Sequence, residues 1–126
     1  TTTWSPLASG VLSGKYAQGI PQGSRMSLPE YGWLRERIES ERGRVNVRKA
    51  ERLGGIAREL GITPAQMAIA WCLRNPNVST VILGATTEAQ LEENLAGADH
   101  GKLLTADVRE RIEAVLDNRP ELPSQF

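Results

Sequence analysis

The sequence predicts a parallel α/β architecture, mostly helical by content, built from about two β/α units. Three observations predict it. The chain opens on the β-branched and aromatic run T-T-T-W; residues 78–83, V-S-T-V-I-L, are β-branched and largely apolar; and helix-start signals, T-P-A-Q and T-E-A-Q, flank that second run. Such a run suits a parallel strand covered on both faces, because crossover helices lie over the sheet. Residues 1–4 are the only other strand candidate, so a covered strand implies missing strands or a partner chain, and missing strands are the preferred expectation.

Taken in order, residues 1–4 form a short strand that ends at Ser5-Pro6, where proline removes a backbone donor and biases its predecessor toward extended backbone. Residues 7–29 hold Gly10, Gly14, Gly19, Gly23, Pro21 and Pro29 with little periodicity. A connection that long in a compact fold is functional or disordered, and it is expected to be a binding loop. From Glu30 the pattern turns helical through Trp33, Leu34 and Ile38, with Gly43 as its expected end. A second helix is predicted over 46–60 from Leu53, Ile56, Ala57 and Leu60, with Gly54 and Gly55 weakening its middle and Gly61 as its left-handed stop.

Thr63-Pro64-Ala65-Gln66 combines a capping box with proline at the first helical position. The helix it opens runs to Arg74, and its M-A-I-A-W-C-L interior, apolar nearly all round, implies burial between neighbours. Asn75-Pro76-Asn77 breaks it before the strand at 78–83, which is expected to be buried and on whose burial the barrel described below depends. Thr87-Glu88-Ala89-Gln90 repeats the capping-box pattern and opens a helix through Asn94. A last amphipathic helix over 107–116 gathers Val108, Ile112, Val115 and Leu116, and 119–126 are expected to be a loose tail. An opening at Thr1 in mid-strand fits a piece of a larger protein, with 1–126 as a single segment.

Composition narrows the function. The chain has 126 residues, 40% hydrophobic and 24% charged, with 15 basic and 15 acidic side chains and a formal net charge of zero. Charge therefore supplies no reason to expect nucleic acid or an anionic membrane as partner. Apolar runs are too short to span a bilayer, and the first residues lack signal-peptide character. The single Cys72 in an apolar stretch fits a reducing compartment, so a cytoplasmic location is expected. His100 is the only histidine, which argues against a metal centre.

The chemistry is expected where α/β folds place ligands, beyond the carboxyl ends of the strands. In the first loop Ser5, Ser9 and Ser13 offer hydroxyls, Gly10 and Gly14 allow close backbone approach, and Lys15 and Arg25 supply charge for phosphate. In the second, Gly84 leaves the strand and the helix opening at Thr87 presents backbone donors to an anion. Each feature has a plain alternative. A Gly-Lys pair is more often a solvated turn, and G-V-L-S-G-K lacks the spacing and following hydroxyl of a Walker loop. Gln90, Glu93 and Asn94 read as a capping side chain and two solvent-facing residues, Cys72 as a core residue, and the three tryptophans as core or loop anchors.

Three motifs in register, W-S-P-L-A-S-G-V-L-S-G-K-Y, T-P-A-Q-M-A-I-A-W-C-L-R-N and V-I-L-G-A-T-T-E-A-Q-L-E-E-N, resemble the C-terminal part of an aldo-keto reductase. Within that family the chain is most similar to the branch containing the voltage-gated potassium channel β-subunits. The resemblance covers essentially the whole chain and implies a (β/α)8 TIM barrel, of which this segment supplies about strands 7 and 8 with their helices plus the closing helix. It implies NADP(H) as cofactor and a small carbonyl compound as substrate. By matching, Trp4, Ser5, Pro6, Leu7, Ala8 and Ser9 line the nicotinamide and pyrophosphate, and Lys15 and Arg25 lie near the phosphates. Gly84, Thr86, Gln90, Glu93 and Asn94 hold the adenosine end, with Thr86 and Gln90 near the 2′-phosphate.

Two positions depart from the branch: Gly23 stands where a tyrosine is usual, and Ser9 where a cysteine is. The family's Asp, Tyr, Lys and His tetrad belongs upstream, and Tyr16, Tyr31, Lys49, Lys102 and His100 match none of its motifs, so no catalytic residue is assigned. The implied parent reduces aldehydes or ketones by hydride transfer, while this chain alone is expected to be inactive. The alternatives are a nucleotide-sensing regulatory β-subunit-like protein and an inactive fragment held by self-association or by pairing with the missing N-terminal part.

Overall fold

The computed structural model describes residues 1–120. Strand β1 (Thr2–Trp4) leads into a 3-10 segment at Ala8–Ser13, and two further 3-10 turns, Arg25–Ser27 and Pro29–Tyr31, precede the helices. These are α1 (Gly32–Glu39), α2 (Glu41–Glu59) and α3 (Pro64–Leu73), followed by β2 (Thr80–Ile82), α4 (Glu88–Ala96), a 3-10 segment at Gly97–Leu103 and α5 (Ala106–Leu116). The predicted long loop thus contains short 3-10 turns joined by left-handed glycines, a local order that apolar periodicity does not report. Of the expected tail, residues 119 and 120 have no regular structure and 121–126 lie outside the described residues.

Helix starts follow their local chemistry. Thr63 and Gln66 form the reciprocal box, with the Gln66 amide N–H donating to Thr63 Oγ1 at 3.2 Å and the Thr63 N–H to Gln66 Oε1 at 3.0 Å. No residue of α3 is exposed, as its apolar circumference requires. Gly61 ends α2 with φ of 72°, and the Ile62 and Gly61 N–H groups donate back to the Ala57 and Arg58 carbonyls, closing the orphaned end of the helix.

Two expectations fail for tertiary reasons. Gly43 does not end a helix: α1 stops at Ser40, whose Oγ accepts from the Gly43 N–H at 3.1 Å, so α2 begins at Glu41 rather than Asn46. Gly43 lies buried in the first turn of α2, where a Cβ would collide with the Arg37 and Ile38 carbonyls; it permits a close helix approach instead. The strand expected at 78–83 is short and not buried. Thr80 and Ile82 are exposed and Val81 is half-buried, because the described sheet has only two strands and its outer face is bare. Burial in this chain therefore gives the barrel no support, although the pairing is parallel, Thr2 facing Thr80, Thr3 facing Val81 and Trp4 facing Ile82.

The main core joins α2, α3 and α5 through Leu53, Ile56, Met67, Val108, Ile112 and Val115. Burial of each such side chain contributes about 1.5–3 kcal/mol. Lys49 donates to the Leu116 carbonyl at the end of α5, where a cation also meets the negative helix pole. A smaller cluster of Tyr16, Met26, Leu34 and Ile38 fastens the long loop to α1.

Candidate functional site

The parallel register sends the loops after β1 and β2 out of the same end of the sheet, Ser5 following Trp4 on one strand and Gly84 following Ile82 and Leu83 on the other. After β1 the backbone enters the left-handed region at Ser5 (φ 53°), Ala8 (φ 48°), Ser9 (φ 58°) and Gly10 (φ 95°). Three of these four are not glycine, and such conformations persist only where surrounding contacts enforce them. Here the Ala8 N–H donates to the Ser5 carbonyl at 2.9 Å, the Gly10 N–H to the Leu7 carbonyl at 2.9 Å, and the Ser9 N–H to Ser5 Oγ at 3.4 Å.

The predicted loop residues fall into two groups. Trp4 and Ala8 are exposed, Pro6, Leu7 and Ser9 half-buried, and all belong to the strand end and its turn. Lys15 folds back over the same turn: its ammonium lies 5.2 Å from the Tyr16 ring centroid, and a Cβ at Gly10 would sit 2.7 Å from Lys15 Cε. Glycine at position 10 is thus what lets the lysine chain cross the turn. Arg25 is exposed and stands over the Tyr31 ring at 5.7 Å. The Ser13 hydroxyl, read as available, is spent on the Gly10 carbonyl at 2.7 Å.

At the second loop, Gly84, Thr86, Gln90 and Glu93 are exposed, and Asn94 is buried at 5% exposure, against the plain reading that placed it in solvent. Thr87 caps α4 by accepting the Gln90 N–H at 3.2 Å, but Gln90 does not complete a box to the cap residue. Its Oε1 instead accepts from the Thr86 N–H at 3.0 Å and from the Thr86 hydroxyl at 2.9 Å. The Thr86 proton is thereby committed, and the Gln90 NH2 is the donor this pair can turn toward a ligand. Gln66 also reaches this helix, its Nε2 donating to the Glu93 carbonyl at 3.2 Å. Sequence reasoning used Gln66 only as a cap; its second bond joins residues 27 positions apart and leaves no local signal.

The charged side chains among residues 1–29 are Lys15, which lies over the left-handed turn, and Arg25, with no carboxylate among them, a charge that suits an anionic ligand. Among the described residues no group of three His, Cys, Asp or Glu side chains is placed to hold a metal ion. No helix among them is long and apolar enough to cross a membrane. Burial pushes the Cys72 thiol above its ordinary pKa, which keeps it protonated rather than nucleophilic.

The chain is 50% identical over 126 residues to a probable voltage-gated potassium channel subunit beta of Arabidopsis thaliana, and 52% identical to a protein of the same description from Oryza sativa subsp. japonica. Each match takes in 99% of this chain and 38% of the relative, so the chain spans well under half the length of the curated relatives it matches. The model of the aldo/keto reductase family matches residues 1–117, and with it the chain belongs to that family.

Proposed function

We propose that this chain is the NADP(H)-binding, C-terminal part of a (β/α)8-barrel oxidoreductase that reduces aldehydes or ketones. The observation that carries the reading is the Trp4–Ile82 register, which sets the loops after Trp4 and Leu83 at the same, carboxyl end of the sheet. In this reading the turn from Trp4 to Ser9 lines the nicotinamide and pyrophosphate, Lys15 and Arg25 neutralise phosphate charge, and Gly84, Thr86, Gln90, Glu93 and Asn94 take the adenosine end. The dinucleotide supplies the hydride when bound. The residues of this chain bind and orient it; none is assigned to proton transfer, and the isolated chain is inactive toward carbonyl compounds. A cytoplasmic setting belongs to the same reading, supported by the single unpaired Cys72.

Selectivity for the 2′-phosphate rests on Gln90 and Thr86. The Gln90 NH2 is the donor, and Thr86 orients it by bonding Gln90 Oε1. Neither side chain is a cation, and one hydrogen bond to a charged phosphate contributes about 1.5–3 kcal/mol, so the preference for NADP(H) over NAD(H) is moderate. Titration of both nucleotides against the wild-type chain and the Thr86→Ala/Gln90→Ala variant tests this. Weaker NADP(H) binding with NAD(H) nearly unchanged supports the site, and equal losses for both remove these residues from it.

The names of the relatives favour a second reading, in which the nucleotide serves regulation of a partner as in a channel β-subunit. Steady-state reduction of a reactive aldehyde by the complete protein distinguishes the two: turnover supports the reductase, and tight nucleotide binding without turnover supports the regulatory role.

A further inference from the structure

We propose that Gln66 is a positioning residue that holds the face of α4 carrying Gln90, Glu93 and Asn94, and that it needs a carboxamide, rather than a carboxylate, to do so. This rests on the proposed nucleotide site only for what the face binds. The carboxamide is used at both ends. Its Oε1 accepts from the Thr63 N–H at 3.0 Å inside the capping box of α3, and its Nε2 donates to the Glu93 carbonyl at 3.2 Å. Glutamate would serve the box as well as glutamine, because the box uses only the acceptor. It has no N–H to offer α4.

The same junction is tightened by Gly97, directly after α4. A Cβ there would lie 3.1 Å from Gln66 Cα, the Gln66 carbonyl oxygen and Ile69 Cβ. Backbone contact at Gly97 and the side-chain bond to Glu93 thus fix α4 against the first turn of α3 at two points four residues apart. One helical turn separates them, so together they set both the approach and the rotation of α4. Rotation decides whether Asn94 is buried, at 5% exposure, while Gln90 and Glu93 stay outward.

The test uses the full 126-residue chain as Gln66→Glu and Gln66→Ala, with amide hydrogen exchange read residue by residue. Gln66→Glu should leave protection in residues 67–70 within about twofold and lower it in 91–97 by about fivefold to tenfold, the scale of one lost hydrogen bond. Gln66→Ala should lower both. Unchanged protection of 91–97 in Gln66→Glu, or equal loss in both helices, overturns the proposal. Titration with NADP+ separates the two claims: several-fold weaker binding by Gln66→Glu ties the bridge to the ligand face. If the wild-type chain binds no NADP+, the nucleotide reading falls while the exchange result still decides the role of Gln66.

Discussion

Trp4 and Ile82 face each other across the parallel pair, 78% and 55% exposed, so the last rung of the sheet presents an apolar pair to solvent. A side chain that open contributes little to the fold of this chain. Trp4→Ala should change unfolding stability by less than about 0.5 kcal/mol, whereas Ile112→Ala, in the core at 3% exposure, should cost about 2–5 kcal/mol. Urea denaturation followed by circular dichroism measures both, and a loss for Trp4→Ala approaching that of Ile112→Ala would contradict the exposure.

Two glycines of α2 should respond with opposite signs. Gly43→Ala drives a methyl group into the Arg37 and Ile38 carbonyls and should destabilise by about 1–3 kcal/mol, through forced separation of α1 from α2. At Gly55 an added Cβ meets only Arg58 Nη2, at 3.9 Å, so Gly55→Ala should stabilise by about 0.5–1 kcal/mol through helix propensity. Thermal melts of the two variants give the comparison.

Removal of the hydroxyl cap in Thr63→Ala should cost about 1 kcal/mol, since it leaves the first turn of α3 without its acceptor. Thr105→Ala should cost less, because its bond from the Val108 N–H is long at 3.4 Å. Equal losses in urea titrations would mean that the box in α3 adds nothing to the cap.

Cys72 is half-buried and its thiol is pushed up by desolvation. The neutral thiol therefore persists to higher pH in the folded chain than in the unfolded one. Alkylation by iodoacetamide should be slow at pH 7 and rise at a more alkaline pH in the native protein than in urea. A native profile matching the urea profile would show an ordinary thiol.

The residues that were legible in sequence are those whose reason lies within a turn or two of chain. Thr63 and Gln66 identify each other at a spacing of three, and Gly61 marks a helix end that needs left-handed backbone. Gly43 carries the same letter for a different cause, a neighbouring helix, and stands in the first turn of α2 rather than at a helix end. The composition of 78–83 reports what the strand faces would prefer, but burial depends on which strands lie alongside, and among the described residues there is one. At the proposed site the residue types in both loops were readable. That the Thr86 hydroxyl is engaged by Gln90, that Ser13 serves its own turn and that Asn94 is buried are properties of assembled structure.

The β1–β2 ladder closes a long stretch of chain with three residues on each strand; the Ser79 N–H donates to the Thr1 carbonyl at 2.8 Å across 78 positions. The helices α2, α3 and α5 hold together through their own core, whereas each strand of the ladder has three residues of which only the middle one is half-buried. The sheet is therefore the part of the molecule that opens most cheaply, and it can part while that helical core stays shut. Because those rungs align the Ser5 and Gly84 loops, opening of the sheet loosens the pairing of the two halves of the proposed site before it disturbs the helical core.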